Sequence, residues 1–269
     1  CIRDRFNHEY EVTEQNVRYI RGQLSDAIKQ LEKLTKRSFD YAKFHEIMKI
    51  SSETAGWWKK ASLMARAKPS PLNGFDLFNY MAVIVCMRGR KEGLELFKLW
   101  VRELEERKAA GLGPWKDQEE KIRILWDGIA CWPYLSATYK TLKKYGINLV
   151  ASTYPDSWTI LYEAGDLDGM ARAYSSNYVN RNLDYGVDNL SDLVKEFSVD
   201  GLIFHSNRSC KLMDFRQYEV IRRVVERTNA TSVIFDGDQT DPRAFSLAQF
   251  ETRIQSLAET VEEKRKAGA

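Results

Sequence analysis

Cysteine is scarce in this sequence: there are four in 269 residues, at positions 1, 86, 131 and 210, with no CxxC pair and no regular framework. In a chain of this size that spacing argues against disulfide staples and for a reducing, cytoplasmic setting. An excess of one charge sign is missing too. Lys and Arg total 41 against 38 for Asp and Glu, a net +3, whereas a chain that neutralises many phosphates carries a clear basic surplus. Nucleic acid is therefore not an expected partner. Long apolar runs are absent: stretches such as Tyr80 to Met87 fall far short of the roughly 20 residues a membrane span needs, so no transmembrane helix is expected. Internal repeats and low-complexity segments are lacking as well. What remains is an ordinary globular composition, 43% hydrophobic and 29% charged, which excludes a disordered chain. The opening CIRDRF begins with Cys1 and has no basic-then-apolar signal architecture. It reads as a strand end, so residues 1–12 are expected to close a truncated N-terminal α/β domain.

Residues 13–115 read as helix after helix. Thr13 can cap the first, with Glu14 in its first turn. Val17, Ile20, Leu24, Ile28, Leu31 and Leu34 then recur at three- and four-residue steps and form one apolar stripe. A second helix starts near Ser38 or Asp40 and ends at the turn chemistry of Pro69 to Gly74. Two more follow, over about 75–87 and 91–108, and the Gly- and Pro-containing segment 110–114 ends the region. From residue 116 the pattern changes. Short apolar strands at 122–126, 147–151, 201–204 and 232–235 alternate with helices at 134–145, 157–164, 167–175, 189–197, 216–227 and 246–266. Strands alternating with helices imply βαβ units, a parallel sheet and right-handed crossovers. The expected class is α/β: a helical region followed by an open parallel-sheet, flavodoxin- or Rossmann-like domain over 116–269.

In open parallel sheets, ligands bind outside the carboxyl ends of the strands. Two polar loops fall there: His205-Ser-Asn-Arg-Ser-Cys210-Lys211 after the third strand and Asp236-Gly-Asp-Gln-Thr-Asp241-Pro-Arg243 after the fourth. Neighbouring strands would bring both to one rim. Cys210, flanked by Arg208 and Lys211 and followed by a helix N-terminus, is in surroundings that favour a thiolate, the form that attacks carbon or binds iron. The plain alternative is a small, partly buried side chain that closes a loop. His205 is read as a hydrogen-bonded loop histidine or as a base.

The second loop contains a D-x-D-x-T pattern similar to that of the haloacid-dehalogenase-type phosphatases, in which the first Asp is a nucleophile and the pair holds magnesium. Only 29 residues follow Thr240, too few for the lysine and acidic motifs such a catalytic domain needs. Asp236 and Asp241 then read as turn caps paired with Arg243 or Arg253. Cys86 lies in an apolar helical run and reads as core. Cys131 stands at the carboxyl rim among apolar neighbours and reads as packing. Trp126, Trp132 and Trp158 read as wall and core, and the basic residues as solvated helix faces.

The run HSNRSCKLMDF, a helix, then VIFDGDQTDPRAFSLAQFETRIQSLAE resembles the C-terminal part of the 2-hydroxyacyl-CoA dehydratase and benzoyl-CoA reductase family. ILWDGIACWP, GINLVASTY and LSDAIKQLEKLTKRSFDYAKFHEIMKIS are similar to earlier segments of it, so the resemblance covers nearly the whole chain. It implies two α/β domains per subunit with a [4Fe-4S] cluster between them, a heterodimer of related subunits and a separate ATP-hydrolysing iron–sulfur activator. It also implies a CoA-thioester substrate, whose reduction to a ketyl radical permits loss of the 2-hydroxyl. Cys210 matches the family's C-terminal cluster ligand, with His205, Asn207, Arg208, Ser209, Asp236 and Asp238 around it; the other ligands are expected upstream of Cys1. The loops look closer to the smaller, beta-type, electron-relaying dehydratase subunit, whose mate would be a larger alpha-type subunit. A benzoyl-CoA reductase subunit and a non-catalytic scaffold are the alternatives. A flavin is left open, and the acyl group is not specified.

Overall fold

Helix α1 (Glu14–Thr35) begins with a reciprocal cap. Thr13 Oγ1 accepts from the Asn16 amide at 3.3 Å, and Asn16 Oδ1 accepts from the Thr13 amide at 2.9 Å, so two otherwise orphaned donors are satisfied. Its apolar stripe is buried only at Val17 and Ile20. Leu31 and Leu34 are 51% and 80% exposed, because the covering element reaches only the first half of the helix. The computed structural model describes residues 10–267; Cys1 and the rest of residues 1–9 of the expected N-terminal segment lie outside the described residues.

Asp40 caps α2 (Tyr41–Leu63) by accepting from the Lys43 amide at 2.9 Å. Helices α3 (Gly74–Cys86) and α4 (Lys91–Ala109) follow. Trp58 of α2 is fully buried against Phe97 and Trp100 of α4. Cys86, expected in the core, is exposed: it occupies the last turn of α3, beyond the buried Ile84.

The second half alternates as expected: β1 (Ile122–Asp127), α5 (Leu135–Lys144), β2 (Ile147–Ser152), a one-turn α6 (Thr153–Asp156), α7 (Leu167–Ser175), α8 (Leu183–Glu196), β3 (Gly201–Asn207), α9 (Lys211–Thr228), β4 (Thr231–Gly237) and α10 (Leu247–Ala267). Among the described residues the strands form one parallel sheet in the order β2-β1-β3-β4. β1 and β2 are buried throughout, as strands covered on both faces are. The chain winds outward from β1 to β2, returns, and winds the other way from β3 to β4. The carboxyl ends of β1 and β3 therefore flank the point where the winding reverses, where such sheets hold ligands.

One apolar core runs from Trp58 and Phe97 through Phe75 and Phe78 to Trp126, Phe204, Phe235 and Phe250. At the opposite end of the sheet the helices are tied down by charge. Buried Arg123 of β1 donates to the carbonyls of Phe197, Ala67 and Ala65 and pairs with Glu120, and Glu120 also accepts from Asn148 Nδ2 at 2.6 Å. Arg123 is thus not the solvated basic residue that its type suggests. Its fork satisfies four acceptors at once, which is how a buried guanidinium is tolerated.

Three boundaries differ from the sequence reading. α8 starts at Leu183, directly after its cap Asn182, not at Asn189. α9 starts at Lys211, directly after Cys210, not at Arg216. Residues 157–164 are not helical, because their backbone is bonded to other elements. Arg88 Nη1 donates to the Trp158 carbonyl at 3.0 Å and Nη2 to the Ile160 carbonyl. Ser52 Oγ donates to the Tyr162 carbonyl at 2.7 Å and accepts from the Tyr162 amide at 3.2 Å.

Candidate functional site

β3 and β4 run in register to their ends, Ser206 opposite Asp236 and Asn207 opposite Gly237, so the two polar loops meet. Asn207 is buried; its Oδ1 accepts from the amides of Ser209 and Gln239, at 3.3 and 3.2 Å. Asp238, also buried, accepts from the amides of Thr240 and Asp241 at 2.8 and 2.9 Å and from Ser209 Oγ. The Ser209 hydroxyl and these two amides hold the Asp238 carboxyl well below the usual carboxylate range. The two loops are thereby fixed to each other by Asn207, Ser209 and Asp238.

Cys210 is the residue this framework presents. It is the N-cap residue of α9, its amide donates to the Asn207 carbonyl at 2.8 Å, its carbonyl accepts from Met213 and Asp214, and only 3% of its surface is exposed. Arg208, Ser209 and Lys211 are solvent-exposed beside it. Asp236 is exposed on β4.

His205 lies beneath the loops with no exposed surface. Its Nδ1 bonds to the Ile129 carbonyl, its ring stacks on Phe235 at 4.8 Å and 5°, and Nε2 has no partner. Donation to a carbonyl places the proton on Nδ1, and burial pushes the imidazole pKa down. This is a neutral histidine that ties the end of β3 to the loop after β1.

The D-x-D-x-T loop turns two of its three motif side chains onto its own backbone and each other. Asp238 and Thr240 bond within the loop, and among the described residues no group of three or more His, Cys, Asp and Glu side chains converges on one point. Asp241 caps the turn that follows and pairs with Arg243 at 2.7 Å, as expected, and that contact draws its carboxyl down to about 2. Cys131 is buried, donates to the Asp238 carbonyl at 3.4 Å, and has its thiol pKa pushed up by burial.

Over the winding reversal lies a cavity of about 230 Å³, bordered by Gly128 and Ile129 after β1, Thr153 after β2, and Cys210 after β3. Its outer wall is the connection from β2 to α8, including Trp158, Ile160 and Val179. Trp158 is thus wall, as its sequence context suggests, while Trp126 is core. Below the cavity is a buried polar group that the sequence did not announce. Asp127, at the end of β1, accepts from Thr153 Oγ1 at 2.6 Å. Burial pushes its carboxyl pKa up and Tyr178's hydroxyl far up. The Arg216 guanidinium lies 4.6 Å over the Tyr178 ring. Asp127 directly follows the apolar run of β1, the one signal available for it.

The site thus combines a strand-end cysteine at a helix N-terminus with a cavity at the reversal of a 2-1-3-4 parallel sheet. The family model described as 2-hydroxyglutaryl-CoA dehydratase, D-component matches residues 6–261. The chain belongs to the 2-hydroxyglutaryl-CoA dehydratase D-component family. Among its relatives, the (R)-2-hydroxyisocaproyl-CoA dehydratase alpha subunit of Clostridioides difficile is 52% identical over 262 residues, 97% of this chain and 64% of that protein. The (R)-2-hydroxyglutaryl-CoA dehydratase alpha subunit of Acidaminococcus fermentans is 39% identical over 259 residues, 96% of this chain and 53% of that protein. A benzoyl-CoA reductase polypeptide of Thauera aromatica is 26% identical over 253 residues, 89% of this chain and 58% of that protein. The chain thus spans 53 to 64% of the length of these relatives.

The dehydratase relatives are named alpha subunits, whereas the wording of the two loops suggests the smaller, beta-type subunit. Among the described residues, no helix is long and apolar enough to cross a membrane.

Proposed function

We propose that this chain is the alpha-type subunit of an (R)-2-hydroxyacyl-CoA dehydratase, which removes water from a 2-hydroxyacyl thioester to give the 2-enoyl thioester, and that Cys210 is one ligand of its [4Fe-4S] cluster. The observation that carries this reading is the placement of Cys210 on the wall of the cavity at the winding reversal, held there by the Asn207–Ser209–Asp238 clamp.

The donor set fits an iron–sulfur cluster in part. Cys210 has the chemistry for iron and a buried position beside an apolar space. Among the described residues no second cysteine accompanies it in lining that cavity, and Cys131 turns its thiol to Asp238 instead. Cys210 would supply one ligand of the cluster, and the rest would come from outside the described residues. When bound, such a cluster supplies one low-potential electron to the thioester carbonyl and inverts its polarity.

The chain's own residues position and exclude. The clamp fixes Cys210, neutral His205 adds no charge beneath it, and the apolar wall keeps water from the thioester. A second, related subunit and an ATP-hydrolysing iron–sulfur activator complete the system, in a reducing cytoplasm. Buried His205, Asn207 and Asp238 support Cys210 from within the protein and Ser209 from its surface, and exposed Arg208 and Asp236 stand at the face open to these partners. The benzoyl-CoA reductase reading is the weaker one, since that relative is 26% identical against 39 to 52% for the dehydratases.

The test is iron and sulfide analysis, with EPR of the dithionite-reduced protein, on the anaerobically purified complex and its Cys210→Ala variant. A cluster signal lost or reshaped in the variant, with an unchanged circular dichroism spectrum, is expected. An identical iron content and EPR spectrum in both proteins overturns the assignment of Cys210.

A further inference from the structure

The cavity beside Cys210 has a chemical character that bears on which thioester it receives. Its apolar lining includes Ile129, Trp158, Ile160, Val179, Leu212 and Met213, and among the described residues no Lys, Arg or His side chain lines it. The cation below it, Arg216, does not line the space: its Nη1 donates to the Arg181 carbonyl at 3.0 Å, its Nη2 faces Met213 Sδ at 3.7 Å and its guanidinium covers the Tyr178 ring, while its Nε is buried without a partner. An anion placed in this space would lose its hydration with no counter-ion to replace it. The size is also restrictive. About 230 Å³, against roughly 30 Å³ for a water in the liquid, is room suited to a short acyl tail.

We propose that this cavity receives the acyl tail of the substrate and selects a short, uncharged aliphatic tail over one that ends in a carboxylate. The proposal rests on the dehydratase reading above and adds its substrate class. The wall from Trp158 to Ile160 and Val179 sets the specificity, while Cys210, Leu212 and Met213 close the side nearest the reacting thioester.

Binding tests this without turnover. Acyl-CoAs lacking the 2-hydroxyl serve as probes: 4-methylpentanoyl-CoA, 4-carboxybutanoyl-CoA and CoA alone, titrated into the anaerobically purified complex by calorimetry. Fluorescence of Trp158, isolated by comparison with a Trp158→Phe variant, reports occupancy of the cavity. The branched aliphatic probe is expected to bind at least about tenfold more tightly than CoA and about 100-fold more tightly than the carboxylate probe. Val179→Arg supplies the missing cation and should reverse or erase the preference. Leu212→Phe, an uncharged change that reduces the space, should weaken 4-methylpentanoyl-CoA and leave CoA unaffected. Equal affinity for the two acyl probes, or a preference unmoved in both variants, overturns the proposal. If Cys210-dependent iron is present and neither acyl probe outbinds CoA, the acyl-tail assignment fails and the dehydratase reading stands. If the iron does not depend on Cys210, that reading itself fails.

Discussion

A Cβ on Gly237 would stand 2.5 Å from Nε2 of His205. The imidazole occupies the room that the glycine's missing side chain leaves, with Phe235 on its face. On its other side a Cβ on Gly128, whose φ is +102°, would stand 2.8 Å from the His205 carbonyl oxygen. The end of β3 is thus gripped between two glycines, and a methyl group on either forces the ring or its strand to move.

Gly237→Ala is therefore expected to destabilise the fold by about 1–3 kcal/mol, as overpacking of a filled site does. Urea unfolding measures it, and a Gly237→Ala/His205→Ala double variant should recover part of the loss. A single variant with an unchanged midpoint would show that the ring can shift at no cost.

Stability should also depend on pH through His205. The fold holds this imidazole neutral, with its pKa lowered by burial, while the unfolded chain's histidine protonates near 6.5. Below that value the unfolded state binds more protons, so the contribution of His205 is complete above about pH 6.5 and is lost as pH falls towards the lowered folded value. The slope is at most one proton, about 1.4 kcal/mol per pH unit. Urea midpoints between pH 7.5 and 5.5 should fall more steeply for the natural chain than for His205→Gln.

Arg88 holds the cavity wall from behind, through the carbonyls of Trp158 and Ile160, while its Nε donates to Ser51 Oγ at 2.7 Å. Arg88→Met keeps the stem and removes the fork. Amide exchange across residues 157–164 should rise by about tenfold or more, with β1 and β3 unaffected. Unchanged exchange would mean that the contacts of Ser52 with Tyr162 suffice to hold the wall.

The thiols should differ in reactivity. Cys86 is exposed and Cys131 buried, with the Cys131 thiol pKa raised by burial. Maleimide labelling of the native protein, followed by mass spectrometry, should modify Cys86 at least about tenfold faster than Cys131. Cys86→Ser removes a fast-reacting thiol, and Cys131→Ser does not.

The sheet was legible because β1, β2 and β3 are runs whose side chains are nearly all buried, and such runs announce themselves by composition. The meeting of the two polar loops followed from adjacency alone. The start of α9 was not legible: Phe215 and Tyr218 are 89% and 72% exposed, so the first turns of that helix carry no clean amphipathic stripe. The 157–164 segment has helical composition, but its carbonyls are claimed by Arg88 and Ser52, residues more than a hundred positions away for Ser52 and about seventy for Arg88. Buried Arg123 and Asp127 were likewise hidden, because a charged residue type does not state whether its partners lie in water or in distant carbonyls.

Beyond its border at Gly128 and Ile129, the cavity is walled by two stretches of chain with separate structural duties. Cys210, Leu212 and Met213 belong to the strand-end framework of β3 and α9, whereas Trp158, Ile160 and Val179 belong to the long passage between β2 and α8. Mutations in that passage can reshape what the cavity accepts while the cysteine keeps its place. Selection could diversify such a protein one wall at a time, and a designer could graft a different passage onto the same sheet.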